Sequence, residues 1–272
     1  MDDRLSVAVA VMAVIGILLV AGCVSETAEP QAPRTLLAVF AHPDDELTVA
    51  PALSRYAREG VRVLLAFATG GEQGVAPHAG IPAGPGLAAA RANEVRCAAS
   101  ALGIAPPILL GFRDGQLASE STLRALEREL RDLFERDRPD SVVTWGPDGG
   151  YGHPDHRLVG AVVTQIVQAG GPGVPRALFY PGFSHAQLDA HGRPAGLPWI
   201  GLAADLLTVR IELEPQDLVA MRSVFACHAT QFPAARVPDL AESSAERLEG
   251  QVSFRPWRGS SSGDDLFGEL RE

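Results

Sequence analysis

The sequence predicts an α/β protein: an open, mostly parallel sheet with helices on both faces, plus small strand and helix additions at the C-terminal end. Three observations predict it. Short apolar runs alternate with longer helical stretches over about 140 residues, the pattern of strand-helix-strand crossovers. The apolar runs are unbroken, as in strands buried on both faces. Polar clusters directly follow the runs, which places them at the carboxyl ends of strands, where open sheets bind ligands. Together these describe a Rossmann-like arrangement.

The elements follow in order. "TLLAVF" at 35–40 is the first buried strand, and "ELTVAPALSRYAREG" at 46–60 is a helical run that Gly60 stops. "VRVLLAFAT" at 61–69 is the second strand, followed by a long Gly/Pro loop at 70–86. Residues 87–103 form a helix ending in glycine, and "PILLG" at 107–111 is a short strand. Residues 121–137 read as an amphipathic helix with Ser121 in the cap position. "SVVTW" at 141–145 is the next strand, and "RLVGAVVTQIVQAG" at 157–170 the next helix. "LLTVRIEL" at 206–213 reads as a strand, and 215–228 as a helix with Pro215 in its first turn. The tail from Pro238 is rich in Ser, Glu and Gly, with a further strand in "QVSFRPW" at 251–257.

Composition narrows the function. Apolar residues make up 46% of the chain, enough for a substantial core, which excludes wholesale disorder. The net charge is −10, and every one of the 23 basic residues is arginine. An acidic surface argues against nucleic acid or anionic lipid as a main partner and leaves neutral substrates such as sugars open.

The N-terminal segment reads as targeting. Residues 5–24 carry no charge and include "VAGC" at 20–23, which resembles a bacterial lipoprotein signal. On that reading residues 1–22 are removed, Cys23 is lipidated, and 23–34 tether a domain at 35–272 to the outer side of the membrane. Asp2 and Asp3 stand where basic residues are expected. An uncleaved anchor is the alternative, since about twenty apolar residues span a bilayer. Export would permit a disulfide between Cys97 and Cys227. Both lie in helical patterns, where buried thiols are the plainer expectation.

Two motifs carry the chemistry. "AHPDDE" follows the first strand and "GGYGHPDH" the fourth, with "TGGEQG" and "GFRDG" after the second and third. Helix capping accounts for a proline and acids in a first turn. It does not account for a histidine at the strand mouth, nor for two histidines three apart around a second Pro-Asp. Histidine and carboxylate groups on opposing loops suit a His-Asp-His metal set with an open position. The same set is the pattern of non-haem iron oxygenases, but nothing else in the chain suggests a 2-oxo acid site.

"AHPDDE", "GGYGHPDH", Arg91 and Glu94 in "RANE", "RDG" at 113–115 and "HATQF" at 228–232 together resemble the PIG-L/LmbE-like zinc-dependent N-acetylglucosaminyl deacetylases. The resemblance runs from about Thr35 to the C-terminus. It implies zinc ligands at His42, Asp45 and His156, and a general base at Asp44. It implies that His153 stabilises the oxyanion or protonates the leaving group, that Tyr151 stands beside the reacting carbonyl, and that Arg91 and Asp114 hold the sugar. Glu46 and Asp155 are expected to orient ligands, with capping as the alternative. Arg91 and Glu94 could instead be an i,i+3 surface pair.

Glu72 and His228 are candidate rim residues, His228 alternatively structural. His78, His185 and His191 fall in loops, Trp145 in the core, and Trp199 in either setting. The function implied is a membrane-tethered amidohydrolase that removes an acetyl group from an N-acetylated amino-sugar or glycoconjugate. Two alternatives share the fold: a non-catalytic glycan- or metal-binding lipoprotein, and an amidase for another N-acyl group.

Overall fold

The computed structural model describes residues 32–258 and 263–268, so the expected signal at 1–22 and the lipidation site Cys23 lie outside the described residues. The described residues from Pro33 onward form one compact unit. Its elements run β1 (Thr35–Phe40), α1 (Ala50–Arg58), β2 (Arg62–Thr69), α2 (Pro85–Leu102), β3 (Ile108–Phe112) and α3 (Glu120–Asp137). They continue with β4 (Ser141–Thr144), a single irregular turn α4 (Gly149–Gly152), α5 (Pro154–Ala169), β5 (Ala177–Pro181) and α6 (His185–His191). The last are β6 (Val209–Glu212), α7 (Pro215–Cys227), α8 (Val237–Leu248) and β7 (Gln251–Pro256).

One sheet runs in the order β3-β2-β1-β4-β5-β7-β6. Its pairings are parallel from β3 to β5 and antiparallel at β5–β7 and β6–β7. The expected mostly parallel sheet with C-terminal additions is therefore what the chain builds. β1 shows why. Leu36, Ala38 and Phe40 face a core shared with α1, α2 and α7, while Leu37, Val39 and Ala41 face one shared with α3 and α5. Strand alternation thus feeds two cores, and every β1 residue must be buried.

The order reverses direction between β1 and β4, the switch point where a crevice opens beyond the strand ends. Both His-Pro-Asp steps fall there. α5 lies close against the end of β4, because a Cβ on Gly160 would stand 2.1 Å from the Trp145 carbonyl oxygen.

Four expectations need correction. Ser119, not Ser121, caps α3, accepting from the Thr122 backbone N–H at 3.1 Å. β5, α6 and α8 form where no element was expected. β5 is a five-residue run closed by a proline, and α8 shows Glu242 and Glu246 to solvent, keeps Ser243 and Ser244 half-buried, and buries Val237, Ala241 and Leu248. His185 and His191, expected in loops, are the first and last residues of α6. Cys97 and Cys227 are bonded to each other rather than free, because α7 packs on α2 and brings their Cα atoms to 5.6 Å. Among the described residues, no helix is long and apolar enough to cross a membrane.

Candidate active site

The first His-Pro-Asp step leaves β1 and enters a short 3-10 turn at Asp45–Thr48. Asp44 sits at φ 100°, in the left-handed region, and makes no side-chain cap hydrogen bond. That conformation costs a non-glycine residue on the order of 1–3 kcal/mol and needs support around it. The support is visible. The Asp44 backbone N–H donates to Glu46 Oε2 at 2.8 Å, and the Asp44 carboxylate pairs with Arg91 Nη2 at 3.0 Å.

Arg91, on α2, is 3% exposed. It also donates to the carbonyls of Gly71, at 2.7 Å, and Pro43. A Cβ on Gly71, which has φ +64°, would lie 2.3 Å from Arg91 Nη1, so only glycine lets the guanidinium through. Burial pushes the Asp44 carboxyl above its usual range; Arg91 pulls it down and Asp45 adds to the rise.

Asp45 is fixed differently. Its Oδ2 accepts from the backbone N–H groups of Ala41 and His42 and from Trp145 Nε1, all at 3.0 Å. Oδ1 is left 3.1 Å from His156 Nε2. Burial alone would raise this carboxyl; His156, His42 and the indole outweigh it and hold it well below the usual range.

The second step starts a helix. His153 caps α5, its Nδ1 accepting from the Asp155 backbone N–H at 3.2 Å, with Pro154 as the first helical residue. A neutral imidazole accepting at Nδ1 carries its proton on Nε2. Burial, then His42 and His156, lower the His153 pKa, so the neutral form prevails near pH 7. Asp155 turns under the site, its Oδ2 accepting from Gly115 N–H at 2.8 Å and lying 3.4 Å from His42 Nε2. His156 is fully buried and stacked on Trp145, with centroids 4.5 Å apart.

A metal fits these residues. His156 Nδ1 donates to the Gly149 carbonyl at 3.1 Å, and His42 Nε2 donates to Asp114 Oδ1 at 3.0 Å. Each ring therefore presents the lone pair of its other nitrogen, and those two nitrogens face each other at 3.2 Å. The 3.2 Å between the two nitrogens, and the 3.1 Å from His156 Nε2 to Asp45 Oδ1, are spacings expected of groups about 2.0–2.2 Å from one zinc ion. A histidine ligand held at its far nitrogen by a carboxylate or carbonyl is the usual supporting arrangement.

Two further groupings adjoin this one. The His153 ring lies within reach of His42 and His156, with donor atoms inside 4.8 Å of one another. His42, Asp114 and Asp155 also cluster, on the reverse edge of His42. There Asp114 and Asp155 are already engaged by the N–H groups of Gln73 and Gly115.

Tyr151 stands against this centre, its ring 5.1 Å from that of His156 and 5.9 Å from that of His153. Burial, reinforced by Asp45 and Asp44, raises its pKa, so the phenol keeps its proton. Arg91 and Asp114, expected at the sugar, are both buried and engaged with site residues. Asp114 holds His42 and accepts from Gln73 N–H at 2.9 Å. The His42 and Gln73 bonds outweigh its burial and lower its pKa to about 2.

Several contacts carry no sequence signal. Glu46 is fully buried and holds His228 Nε2, 182 residues away. Burial alone would lower the His228 pKa, and Glu46 outweighs it. Glu94 does not pair with Arg91; it accepts from the Thr230 N–H at 2.6 Å and hydroxyl at 2.7 Å. Glu72 accepts from the Asp114 N–H at 3.0 Å. Trp145 is core, as expected, and also clamps Asp45 and His156; its position at a strand end was the available signal. Trp199 is 8% exposed and packs on Trp145 and Tyr151.

Comparison with known proteins identifies the family. The PIG-L family model, described as GlcNAc-PI de-N-acetylase, matches residues 37–167. A 1D-myo-inositol 2-acetamido-2-deoxy-alpha-D-glucopyranoside deacetylase of Nakamurella multipartita is 33% identical, over 84% of this chain and 90% of its own. Three further relatives, 37–39% identical, are matched over only about half their length, 53–54%.

Among solved structures, N,N'-diacetylchitobiose deacetylase from Pyrococcus horikoshii aligns at a TM-score of 0.60 and 20% identity, covering 83% of this chain and 84% of that one. GalB, a 4-carboxy-2-hydroxymuconate hydratase from Pseudomonas putida, aligns at 0.59 and 15%, covering 84% and 98%. Likeness at that identity shows the fold alone, and here one fold carries two reactions. The sequence relatives decide the family: this chain belongs to the PIG-L N-deacetylase family.

Proposed function

We propose that this chain hydrolyses the N-acetyl amide of an amino-sugar or glycoconjugate, with zinc held by His42, Asp45 and His156. The observation that carries the reading is the pair of inward-facing histidine lone pairs beside Asp45 Oδ1, with a second, separately held carboxylate at Asp44. Bound there, zinc would supply Lewis acidity, lowering the pKa of water to about 7 and polarising the amide carbonyl.

The chain's own groups do the rest. Asp44, aimed by Arg91 and by its strained backbone, takes the proton of the attacking water. The Tyr151 hydroxyl and the His153 Nε2–H are the donors for the developing oxyanion. The proton held by Asp44 then passes to the departing amine, while His153 stays a neutral donor. Arg91 and Asp114 act here through Asp44 and His42. The sugar is assigned to a groove of about 580 Å³ beside Pro43, whose lining mixes Glu72, Gln73, Arg113 and Gln116 with apolar residues such as Leu109 and Phe112. Names of relatives in which an inositol-linked N-acetylglucosamine is deacetylated support this substrate class.

The test is acetate release from N-acetylglucosamine conjugates. Chelation should abolish turnover and added zinc restore it. No turnover by the zinc-loaded protein across N-acetylated amino-sugars would contradict the reading.

The same proposal places the domain outside the cytoplasmic membrane on a lipid at Cys23. The Cys97–Cys227 disulfide supports an oxidising compartment. Cys23→Ala should release the protein from membranes and abolish fatty-acid labelling.

A further inference from the structure

Asp44 lines a cavity of about 140 Å³ together with Asp45 and Tyr151, so the set of its turn fixes where the base stands. Two groups fix that turn. Arg91 holds the Asp44 carboxylate, and Glu46 Oε2 accepts from the Asp44 backbone N–H at 2.8 Å. Glu46 is fully buried, and its other oxygen, Oε1, accepts from His228 Nε2. The base therefore leans on a carboxylate that leans on an imidazole 182 residues further along the chain.

The His228 side chain has no second task. The backbone ends α7 by itself: the His228 N–H donates to the Val224 carbonyl at 3.3 Å, and the His228 carbonyl accepts from the Gln231 and Phe232 N–H groups, both at 2.9 Å. Nδ1 is buried without a hydrogen-bond partner among the described residues, and Glu94 Oε2 stands 4.0 Å from it. The one directional bond of this buried ring is the one to Glu46. A histidine that only filled space at a helix end would not need it.

The turn that carries the ring is fixed without it. Thr230 donates to Glu94 through its N–H, at 2.6 Å, and its hydroxyl, at 2.7 Å. Gln231 Nε2 donates to the Gly74 carbonyl at 2.9 Å. Cys227, one residue before His228, is bonded to Cys97 on α2, the helix that also carries Arg91. These bonds remain when the His228 side chain is replaced.

We infer that His228 is a positioning residue for the general base and reaches the reaction only through Glu46. The inference rests on the reading of Asp44 as that base. A buried carboxylate that loses its donor is left unsatisfied and turns toward another. Its hold on the Asp44 N–H then loosens, and the strained φ of 100° loses a support. Displacing a reacting group by about 1 Å costs on the order of 10²-fold in rate.

The experiment reads kcat, KM, zinc content and melting temperature on the same samples, with N-acetylglucosamine conjugates as substrate. His228→Met, apolar and similar in size, should lower kcat on the order of 10–10²-fold. Zinc should stay near one per chain, and KM should stay within about twofold, since no substrate contact is removed. His228→Gln, whose amide still donates toward Glu46, should recover most of the lost kcat. In an Asp44→Asn background, His228→Met should change kcat by no more than about twofold while still lowering the melting temperature.

If His228→Met fails to fold, His228→Gln against His228→Asn makes the same comparison, because the shorter amide falls short of Glu46. Gln should then exceed Asn in kcat about tenfold. Four results overturn the positioning role and leave the hydrolase reading standing: kcat unchanged in a variant that merely melts earlier, zinc lost along with kcat, a loss that multiplies through the Asp44→Asn background, or Gln no better than Asn. No turnover by the unaltered zinc-loaded protein overturns the hydrolase reading and the role of His228 with it.

Discussion

His42-Pro43-Asp44 and His153-Pro154-Asp155 are the same three residues folded in two ways. The second copy obeys helix-start chemistry, with His153 as cap, Pro154 in the first position and Asp155 in the first turn. In the first copy Asp44 is bent to φ 100°, caps nothing, and precedes a 3-10 turn, so that the α-helix begins only at Ala50. The difference comes from the surroundings. Arg91, threaded past Gly71, and Glu46 hold the first turn in a shape it would not choose, while nothing bends the second.

The third residues therefore end in different places. Asp44 lines the cavity, whereas Asp155 is tucked beneath His42. The strained copy presents the reacting carboxylate and the relaxed copy supports it, as expected where strain is confined to working residues.

Three substitutions break this pairing, in falling order of effect. Asp45→Ala removes the carboxylate that closes the metal set. Zinc content should fall from near one per chain toward zero and turnover below detection, as read by metal analysis beside the assay.

His153→Ala removes a donor and a cap together. kcat should fall about 10²–10³-fold, and loss of the cap should cost about 1 kcal/mol, a drop in melting temperature of roughly 2–4 °C. A fall in kcat with no change in melting temperature would separate the two roles assigned to His153.

Asp155→Asn should keep the fold and the base but loosen His42, weakening zinc binding about 10- to 100-fold. Competition with a chelator measures it, and an unchanged zinc affinity would show that Asp114 alone orients His42.

Much of the fold was legible because β1, β2 and β4 are buried on both faces and so read as unbroken apolar runs, and β3, half-buried at the sheet edge, keeps a short apolar run too. β5 was missed because its five residues end in proline, and α8 because most of its surface is polar. In the site, the histidines and acids next to each strand end could be read from the chain. The rest depends on three-dimensional packing. Glu46 finds His228 across 182 residues, Trp145 reaches Asp45 across 100, and Arg91 turns inward to Asp44 instead of pairing with Glu94. No local pattern encodes those meetings. The disulfide is of the same kind, since it requires α7 to lie on α2.

The division between the two acids of the first copy is the central claim, and Asp44→Asn tests it most directly. The substitution preserves size and removes only the ability to take a proton. Measured on one sample, zinc content should match the unaltered protein while kcat falls about 10²–10⁴-fold, the usual share of a general base. Turnover within a few-fold of the starting value, or loss of zinc along with activity, would contradict it.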